Sequence, residues 1–429
     1  MTTSSHYPVV IIGAGQAGLS MSYYLQQAGT KHLLLEKNTQ VHSWKNERWD
    51  SFTLVTPNWQ CELPGHPYDG DDPRGFMTGA QTRDYLQRFV EKLQAPVREG
   101  VTVTGVVKDA DGLYQITTTD GDYSADQVVV ASGGYHIPVI PRMAEKLPDS
   151  VSQIHSARYK NADQLPEGAV LVVGSGQSGA QIAEDLHLSG RKVFLATGDA
   201  PRVARFYRGK DVVEWLDDMG YYEMSVKQHP LGKNVAAKTN HYVTGRDGGR
   251  DIDLRKFATE GMELFGLMTD FDGERLIFQP NLNSNLQKAD DTFNNINARI
   301  DAWIDEQGIK TDEGPSRYTP VWEIEEERTA LNLAESGITS IVWCIGFRPG
   351  FDWLDAPVFN GKGHPVHERG ITHQPGLYFI GLPWLHTWGS GRFSGVSADA
   401  AYLNQHIQAF QQAAGNDDAQ RSEQTAVLA

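Results

Sequence analysis

The sequence predicts an α/β fold with parallel β-sheets, and two repeats of one pattern are the main reason. In each repeat a short apolar strand runs into a glycine-rich turn, a helix and a second strand. The first repeat begins at Val9 and the second at Ala169. Apolar, β-branched runs of this kind are typical of parallel strands that are buried on both faces. The chain has 429 residues, more than the ~250–300 that one core supports, so we expect two domains.

Composition and charge exclude several classes of protein. The 38 Lys and Arg residues against 54 Asp and Glu residues give a net charge of −16, which repels the phosphate backbone of nucleic acids. With only two cysteines, Cys61 and Cys344, a disulfide scaffold, a CxxC pair or a cysteine-based zinc site is not expected. No apolar run approaches the ~18 residues of a membrane helix, and residues 1–8 lack a signal-peptide pattern. We therefore expect a cytoplasmic protein without a nucleic-acid or membrane partner.

The first glycine-rich turn, residues 13–18, fits a dinucleotide-binding fingerprint in its required context. Gly13 permits the tight turn, Gly15 lets backbone N–H groups approach a pyrophosphate, and Gly18 lets the helix pack against the strand. The N-terminus of that helix supplies partial positive charge for the phosphates. Glu36 ends the second strand, where a carboxylate can bond the hydroxyl groups of a ribose.

The elements between the two repeats are expected to complete the first domain. Residues 101–107 and 114–118 predict antiparallel strands, and residues 128–131 predict a further buried strand. The glycines and prolines of residues 133–141 mark the place where the chain leaves this domain.

The second glycine-rich turn, residues 174–179, repeats the fingerprint with Gly174, Gly176 and Gly179, and also contains Gln177 and Ser178. No acid stands at the end of the strand that follows. Asp199 comes three residues beyond it, and a basic run that includes Arg202 and Arg208 comes next. Basic residues here suit the 2′-phosphate of NADPH, so we expect NADPH, while Asp199 keeps NADH open.

Two dinucleotide sites in one chain predict two cofactors. A flavoprotein that is reduced by NAD(P)H needs one site for FAD and one for the hydride donor, and the flavin then carries the redox chemistry. We expect residues 1–150 and 325–429 to form the FAD-binding domain and residues 151–324 the NAD(P)H-binding domain. The fold would be two Rossmann-like dinucleotide-binding domains, the second inserted in the first.

The remaining segments add weaker expectations. Residues 210–320 show little periodicity and many Asn, Asp and Gly, so we expect a poorly patterned insert on the substrate side. Strands are expected at 340–344 and 377–380, and a helix over 394–411. Residues 384–388 are expected to line a pocket, with an ordinary hydrophobic core as the alternative. No metal site is expected, because no Cys or carboxylate pattern accompanies the three histidines His364, His367 and His373.

These residues resemble class B flavin-dependent monooxygenases, the group that includes flavin-containing monooxygenases and the plant YUCCA enzymes. Both glycine-rich turns stand at the positions of that family. The other similar segments are residues 44–52, 61–64, 131–141, 344–349, 376–381 and 394–396. The likeness spans most of residues 7–410, and the segment 210–320 is poorly covered by it.

The resemblance implies a set of cofactor contacts. Besides the glycines of the two turns, Glu36, Gln177, Ser178, Arg202 and Arg208, the implied contacts are Gln16, Ala17, Lys37, Trp44, Val106, Ala131, Gly133, Gly381, Ser394 and Val396. It also implies that NADPH reduces FAD, that a C4a-peroxyflavin forms with O2, and that this species oxygenates a small organic substrate. Asn58 would be the flavin-facing catalytic residue, or else an ordinary turn residue after Pro57.

Two alternatives to this function stay open. The chain keeps His155 and Tyr159 of the flavin-containing monooxygenase signature and lacks its Phe-x-Gly half. An NAD(P)H-dependent flavin oxidase or reductase without oxygen insertion would need the same two cofactor sites. A flavin-binding sensor without turnover is the other alternative.

Flavoproteins of this size often pair, so a homodimer is also expected.

Overall fold

The structure is a computed structural model that describes residues 5–315 and 317–428, with side chains up to residue 415. In chain order its first part contains β1 (Ser5–Ile12), α1 (Gln16–Gln27), β2 (His32–Glu36), α2 (His42–Asn46), β3 (Glu62–Leu63), β4 (His66–Pro67), α3 (Gly79–Leu93), β5 (Val97–Glu99), β6 (Val103–Lys108), β7 (Tyr114–Thr118) and β8 (Gly121–Val130).

The rest of the chain continues this numbering. It contains β9 (Ile137–Pro138), β10 (Ser152–His155), β11 (Ala169–Val173), α4 (Gln177–Leu188), β12 (Val193–Ala196), β13 (Phe206–Tyr207), β14 (Lys210–Asp211), α5 (Val212–Asp218), α6 (Leu254–Thr259), β15 (Glu263–Phe265), β16 (Met268–Phe271), β17 (Arg275–Phe278), α7 (Leu282–Gln307), β18 (Ala330–Asn332), α8 (Leu333–Ser336), β19 (Ile338–Trp343), β20 (Phe347–Arg348), β21 (Leu354–Asp355), β22 (Leu377–Phe379) and α9 (Val396–Leu428).

The larger sheet has the strand order β21-β6-β7-β8-β1-β2-β5, with β22 also paired to β8. Strand β1 lies parallel to both β2 and β8, and residues 9–12 are buried, as the apolar run predicts. Strand β22 is parallel to β8 as well, so β1, β8 and β22 end at the same edge. That edge carries Gly13, Ala131 and Gly381, which directly follow or closely follow these strands.

The second sheet is wholly parallel, with the order β10-β19-β11-β12-β15. The α/β fold with parallel sheets predicted from the sequence is therefore confirmed. Strand β19 lies between β10 and β11 in this sheet, beyond residue 325, where the sequence predicts the return to the FAD-binding domain. Ile341 and Val342 are fully buried there, which is how an apolar strand in the middle of a parallel sheet is stabilised.

The segment 210–320 is more regular than its sequence suggests. It contains the 26-residue helix α7, which ends at Gly308 in a left-handed conformation with φ +63°. Apolar residues three to four positions apart form its buried face: Leu282, Leu286, Ala289, Phe293, Ile296, Ile300 and Ile304. Strands β16, β17 and β18 form a small antiparallel sheet near it in sequence. Asn285, Asp290 and Asn297 are also buried, and these polar residues interrupt the apolar pattern of α7 in the sequence.

Helix α9 begins at Val396 and extends to Leu428, well past the end expected at residue 411. Its residues Val396, Leu403 and Ile407 share a buried cluster with Leu19 of α1. Both helices therefore pack on one face of the larger sheet. The chain leading into α9 passes the end of β22 and the first glycine-rich turn.

Candidate functional site

A cleft of about 1990 Å³ opens where the two parallel sheets end. Gly13 and Gly15 of the first turn line it, and so do Gly174 and Gly176 of the second. Ligands of parallel α/β sheets bind at the carboxyl ends of the strands. The cleft therefore brings two potential nucleotide sites into one space.

Each glycine of the first turn meets a different steric demand. Gly13 has φ +107°, and a Cβ there would lie 2.8 Å from the Ala131 carbonyl oxygen. A Cβ on Gly18 would lie 2.0 Å from the Gly13 carbonyl oxygen, so only glycine lets α1 pack this closely. A Cβ on Gly15 would meet nothing within 4 Å, so the backbone there faces open space. This is the arrangement that a pyrophosphate needs.

Glu36 lies at the end of β2 and lines the same cleft. Its Oε2 accepts a hydrogen bond from the Ala14 backbone N–H at 2.8 Å, and its Oε1 accepts one from the Asn38 backbone N–H at 2.9 Å. These bonds fix the carboxylate and leave lone pairs on both oxygens. The residues of this cradle fit the adenosine and pyrophosphate of a dinucleotide.

The second turn repeats the steric pattern. Gly174 has φ +103°, and a Cβ there would lie 2.6 Å from the Cys344 carbonyl oxygen. A Cβ on Gly179 would lie 1.8 Å from the Gly174 carbonyl oxygen, while a Cβ on Gly176 would meet only the Thr239 methyl at 3.3 Å. The cradle is thus open at the second glycine and closed at the first and third.

Gln16 connects the first turn to two other walls of the cleft. Its Oε1 accepts a hydrogen bond from Trp44 Nε1, and its Nε2 donates one to the Gly391 carbonyl oxygen, both at 2.9 Å. Gly391 has φ +78°, and a Cβ there would lie 2.7 Å from the Gly381 carbonyl oxygen. The turn, Trp44 and the segment 381–391 are therefore held at a fixed spacing.

The cleft collects most of the residues that the sequence singled out. Those that line it are Gly13, Gly15, Gln16, Ala17, Glu36, Lys37, Trp44, Ala131, Gly133, Gly174, Gly176, Gln177, Ser178 and Gly381. Gly18 and Gly179 lie beneath it, where they permit helix packing. Of residues 384–388, Trp384, Leu385 and His386 line the cleft. Trp384 has φ +53°, a strained conformation for a bulky residue.

Asn58 does not line the cleft. Its Nδ2 donates to the Asp72 carbonyl oxygen at 2.9 Å, and its Oδ1 accepts from the Met77 backbone N–H at 2.7 Å. The side chain is 4% exposed. Because both ends of the amide hold the loop 72–77, the structure supports the turn interpretation of Asn58 over the catalytic one.

Arg202 and Arg208 do not line the cleft either. Arg202 is 3% exposed and pairs with Asp290 at 3.1 Å and with Asp253 at 3.5 Å. Arg208 pairs with Asp301 at 3.0 Å. Carboxylates of the chain therefore pair with both guanidinium groups, and neither arginine lines the cleft where a nucleotide phosphate is expected.

Three further predicted contacts lie outside the cleft lining. Val106 is 2% exposed and pairs with Leu354 in the larger sheet, and Val103 of the same strand faces the cleft instead. Val396 is fully buried under α1, and Ser394 precedes it. The sequence places these segments near the cleft, but it does not determine which of their side chains face the cleft.

His155 and Tyr159 have structural surroundings. His155 Nε2 is hydrogen-bonded to the Gly346 carbonyl oxygen at 3.0 Å. Tyr159 is fully buried and donates to Asp185 at 2.7 Å. Asp185 also accepts from Ser51 at 2.5 Å, which ties α4 to the segment that follows Trp44. His155 therefore holds the segment after β19, and Tyr159 shares Asp185 with Ser51.

Several cleft residues were not singled out by the sequence. Arg48, Arg392 and Tyr135 line it, as do His364 and His367, two of the three histidines at which no metal site is expected. Burial lowers the pKa of His367 to about 4, so this imidazole is neutral near pH 7. Within the described residues no group of three or more His, Cys, Asp or Glu side chains is placed to hold a metal ion.

The two cysteines are both free and lie in different cores. Cys61 is fully buried, and burial raises the pKa of its thiol to about 12. Burial also raises the pKa of the Cys344 thiol. A dithiol centre needs two neighbouring thiols of which one forms a thiolate readily. These two cysteines do not provide such a centre.

Two dinucleotide cradles that share one cleft define a class, the oxidoreductases that use two nucleotide cofactors. The family described as "Pyridine nucleotide-disulphide oxidoreductase" matches residues 10–244, more than half of the chain. The chain belongs to this family, and it is an enzyme, an oxidoreductase.

Three similar proteins illustrate this relationship. An uncharacterized oxidoreductase, CzcO-like, of Geobacillus kaustophilus is 32% identical over 398 residues, 92% of this chain and 96% of its own. The indole-3-pyruvate monooxygenase YUCCA6 of Arabidopsis thaliana is 30% identical over 202 residues, 45% of this chain and 48% of its own. A flavin-containing monooxygenase from Stenotrophomonas maltophilia shares the fold, with 19% identity, a TM-score of 0.63 and coverage of 95% of this chain and 99% of that one.

None of the described helices has both the length and the apolar character that crossing a bilayer requires.

Proposed function

We propose that this chain is an FAD-dependent, NADPH-reduced monooxygenase that uses O2 to oxygenate a small organic substrate. The observation that carries the proposal is the shared cleft, because electrons can pass between two cofactors only if both reach one space. On this proposal the second sheet, through residue 343, belongs to an NADPH-binding domain inserted in an FAD-binding domain.

FAD would be held at the first cradle. The backbone N–H groups around Gly15 would bind its pyrophosphate, and the fixed carboxylate of Glu36 would bind the adenosine ribose. When bound, the flavin supplies the chemistry: it accepts a hydride from NADPH and delivers one oxygen atom of O2 to the substrate. Trp44 and the segment 381–391, which Gln16 holds in place, would exclude water from the reacting end.

NADPH would be held at the second cradle, and its 2′-phosphate needs a cation other than Arg202 or Arg208. Lys238 is exposed and lines the cleft, and the next residue, Thr239, touches the open side of Gly176. Among the described residues it has no carboxylate within 4 Å. Asp199 also lines the cleft and would favour NADH, so the choice depends on which charge lies nearer the ribose.

A Lys238→Gln variant tests this assignment. It should raise the KM for NADPH by about tenfold, because one phosphate–lysine contact is lost, and leave the KM for NADH within about twofold. Steady-state kinetics with both nucleotides would measure this. An equal effect on both would remove Lys238 as the phosphate contact.

One observation favours the alternative of an NAD(P)H oxidase that inserts no oxygen. The resemblance assigned a flavin-facing asparagine to Asn58, and the structure uses that side chain to hold a loop. Without this contact a flavin that has reacted with O2 could release H2O2 instead of oxidising a substrate. The two functions differ in where the oxygen goes.

The deciding experiment follows the flavin and the oxygen separately. In a stopped-flow instrument without O2, NADPH should bleach the flavin absorbance. With 18O2 and candidate amines, sulfides or carbonyl compounds, one 18O atom should appear in the product and substrate should stimulate NADPH consumption. Stoichiometric H2O2 with every compound would establish the oxidase instead, and a flavin that stays oxidised would favour the sensor.

A further inference from the structure

Gln177 occupies the same place in the second glycine-rich turn as Gln16 does in the first, directly after the middle glycine. Its Nε2 donates a hydrogen bond to the Val243 carbonyl oxygen at 2.7 Å, and its Oε1 accepts one from the Val243 backbone N–H at 3.2 Å. Val243 is itself buried. The second turn therefore fixes the chain at residue 243, as the first turn fixes it at Gly391.

A hydrogen bond joins these two fixed segments. Asn240, three residues before Val243, accepts at its Oδ1 a hydrogen bond from Arg392 Nη2 at 3.2 Å. Arg392 directly follows Gly391, and its guanidinium also donates to the Trp388 carbonyl oxygen and lies 4.0 Å from the centre of the Trp388 ring. The bond between Arg392 and Asn240 therefore completes a continuous connection from the first glycine-rich turn to the second.

Separate contacts hold the part of the chain before Asn240 against the same wall of the cleft. The ring centres of Tyr222 and Trp388 lie 4.5 Å apart. The Val226 backbone N–H donates a hydrogen bond to the His386 carbonyl oxygen at 2.6 Å. A variant that removes only the hydrogen bond to Asn240 should therefore leave this part of the chain in place.

The connection passes the open side of the second cradle. The Thr239 methyl group lies 3.3 Å from the position that a Cβ on Gly176 would take. Asn240, the next residue, lines the cleft, as does Arg392. A nucleotide held at Gly176 therefore restrains Thr239 and, with it, Asn240. A ligand shifts a protein toward the conformation to which it binds better, here the one in which Asn240 is paired with Arg392.

We propose that Arg392 is a positioning residue that couples the two cradles, so that a nicotinamide nucleotide in the second cradle slows the loss of FAD from the first. This inference rests on the proposed function and deepens it, because it names the residue that keeps both cofactors of the same cleft in place together. Coupling between two binding sites is reciprocal, so FAD tightens the binding of the second nucleotide by the same factor.

The test measures the release of FAD without turnover. Flavin fluorescence after dilution follows the release, with and without saturating NADP+. In the unmodified protein NADP+ should slow the release by about fivefold. Arg392→Met should bring the two rates within about twofold of each other, and Arg392→Lys, which keeps a donor, should restore part of the difference. Equal rates with and without NADP+ in the unmodified protein would overturn the proposal.

The partner residue makes the test specific to this hydrogen bond. Asn240→Ala should reduce the effect of NADP+ as much as Arg392→Met does, and the double variant should lose no more than either single variant. Asn240→Asp should enlarge the effect, because both ends of the hydrogen bond are then charged. Additive losses in the double variant would show that the two side chains act independently, which contradicts the proposed coupling.

Asn234→Ala is the matched control. Asn234 is the same type of residue as Asn240, lies six positions earlier on the same segment and also lines the cleft. Its replacement should change the effect of NADP+ on FAD release by less than about twofold. A loss as large as that in Asn240→Ala would assign the coupling to the segment as a whole and remove Arg392 from it.

The same preparations distinguish this proposal from the proposed function. Circular dichroism and the thermal midpoint show whether each variant is folded, and anaerobic bleaching of the flavin by NADPH shows whether the redox step works. If NADP+ slows FAD release and NADPH does not bleach the flavin, the coupling holds and the proposed function fails. If bleaching occurs and NADP+ leaves the release unchanged, only the coupling fails.

Discussion

At the scale of single residues, Gly15 and Gly18 of the first turn have different roles. Gly18 is needed by the fold, because any side chain would strike the Gly13 carbonyl oxygen. Gly15 is not needed by the fold, because its φ of −76° suits any residue and its surroundings are empty. The sequence predicted both roles, since a strand, a turn of this spacing and a helix leave little freedom.

This division gives a paired prediction. Gly15→Ala should yield a folded protein that loses its yellow colour, because the new methyl group occupies the path of the pyrophosphate. Gly18→Ala should yield little folded protein. Flavin absorbance per mole of protein and circular dichroism measure the two effects. Stoichiometric FAD in purified Gly15→Ala would contradict the assignment of this turn.

Asp399, in the first turn of α9, is a buried acid with an unusual pKa. It is 2% exposed, and burial raises its pKa to about 6, while Ser390 and the Arg369 guanidinium, 3.6 Å away, oppose the rise. Below about pH 4 Asp399 is protonated in both the folded and the unfolded state, so its burial does not lower the free energy of unfolding. As the pH rises through 6 the buried acid ionises less readily than in the unfolded chain, and the free energy of unfolding falls by about 2–3 kcal/mol.

The pH dependence of Asp399→Asn checks this. The asparagine stays neutral, so the unmodified protein should lose about 2–3 kcal/mol of unfolding free energy relative to the variant between pH 4.5 and 7.5. Urea unfolding at four pH values gives the difference. Parallel curves for the two proteins would show that Asp399 keeps an ordinary pKa.

At the scale of elements, the sequence predicted those helices and strands that are determined by the residues within and next to them. Strand β1, helix α1 and strand β2 follow one another within 32 residues, and their apolar runs and turn identify them. The sequence predicted strand β19 without showing that it lies in the second sheet, because its apolar residues fit the middle of either one. Helix α7 was missed, because its periodic apolar residues are diluted by polar ones.

Arg202 shows why charge alone misleads at this scale. It looked like a phosphate contact, yet its partners come from the start of α6 and from α7, elements that the sequence places far away. Its guanidinium also lies 3.8 Å from the centre of the Tyr318 ring. The arginine therefore joins the segment after β12 to two helices.

Removal of this arginine should destabilise the protein rather than alter nucleotide choice. Arg202→Ala removes the buried cationic partner of Asp253 and leaves Asp290 with Arg255 alone, which should cost about 3 kcal/mol. Arg98→Ala, at an exposed pair with Asp120, should cost less than about 1 kcal/mol. Chemical denaturation measures both. A stable Arg202→Ala protein with a raised KM for NADPH alone would restore the phosphate role.

At the scale of the whole molecule, the family includes disulfide chemistry that this chain lacks the residues to perform. Cys61 and Cys344 belong to different cores, and burial raises the pKa of both thiols. On the proposed function, the reaction runs instead between two nucleotides and a third molecule in one cleft. Sequence spacing predicted the two nucleotide sites, whereas the third site depends on side chains brought together only by folding.

A variant without cysteines tests whether a thiol takes part in the reduction of the flavin. Cys61→Ala combined with Cys344→Ala should keep the rate of flavin reduction by NADPH within about twofold, since neither thiol takes part. The unmodified protein should also resist alkylation by iodoacetamide at pH 8. Loss of flavin reduction in a folded double variant would point to a thiol in the electron path.

Gln16 has a single amide and two partners on different segments, Trp44 and Gly391. It can make both hydrogen bonds only while the glycine-rich turn keeps a fixed distance from the segments that carry Trp44 and Gly391. A substitution that displaces either segment should therefore increase the rate at which the flavin dissociates. The retention of the flavin therefore depends on Gln16, a residue that the glycine fingerprint does not specify, as well as on the glycines themselves.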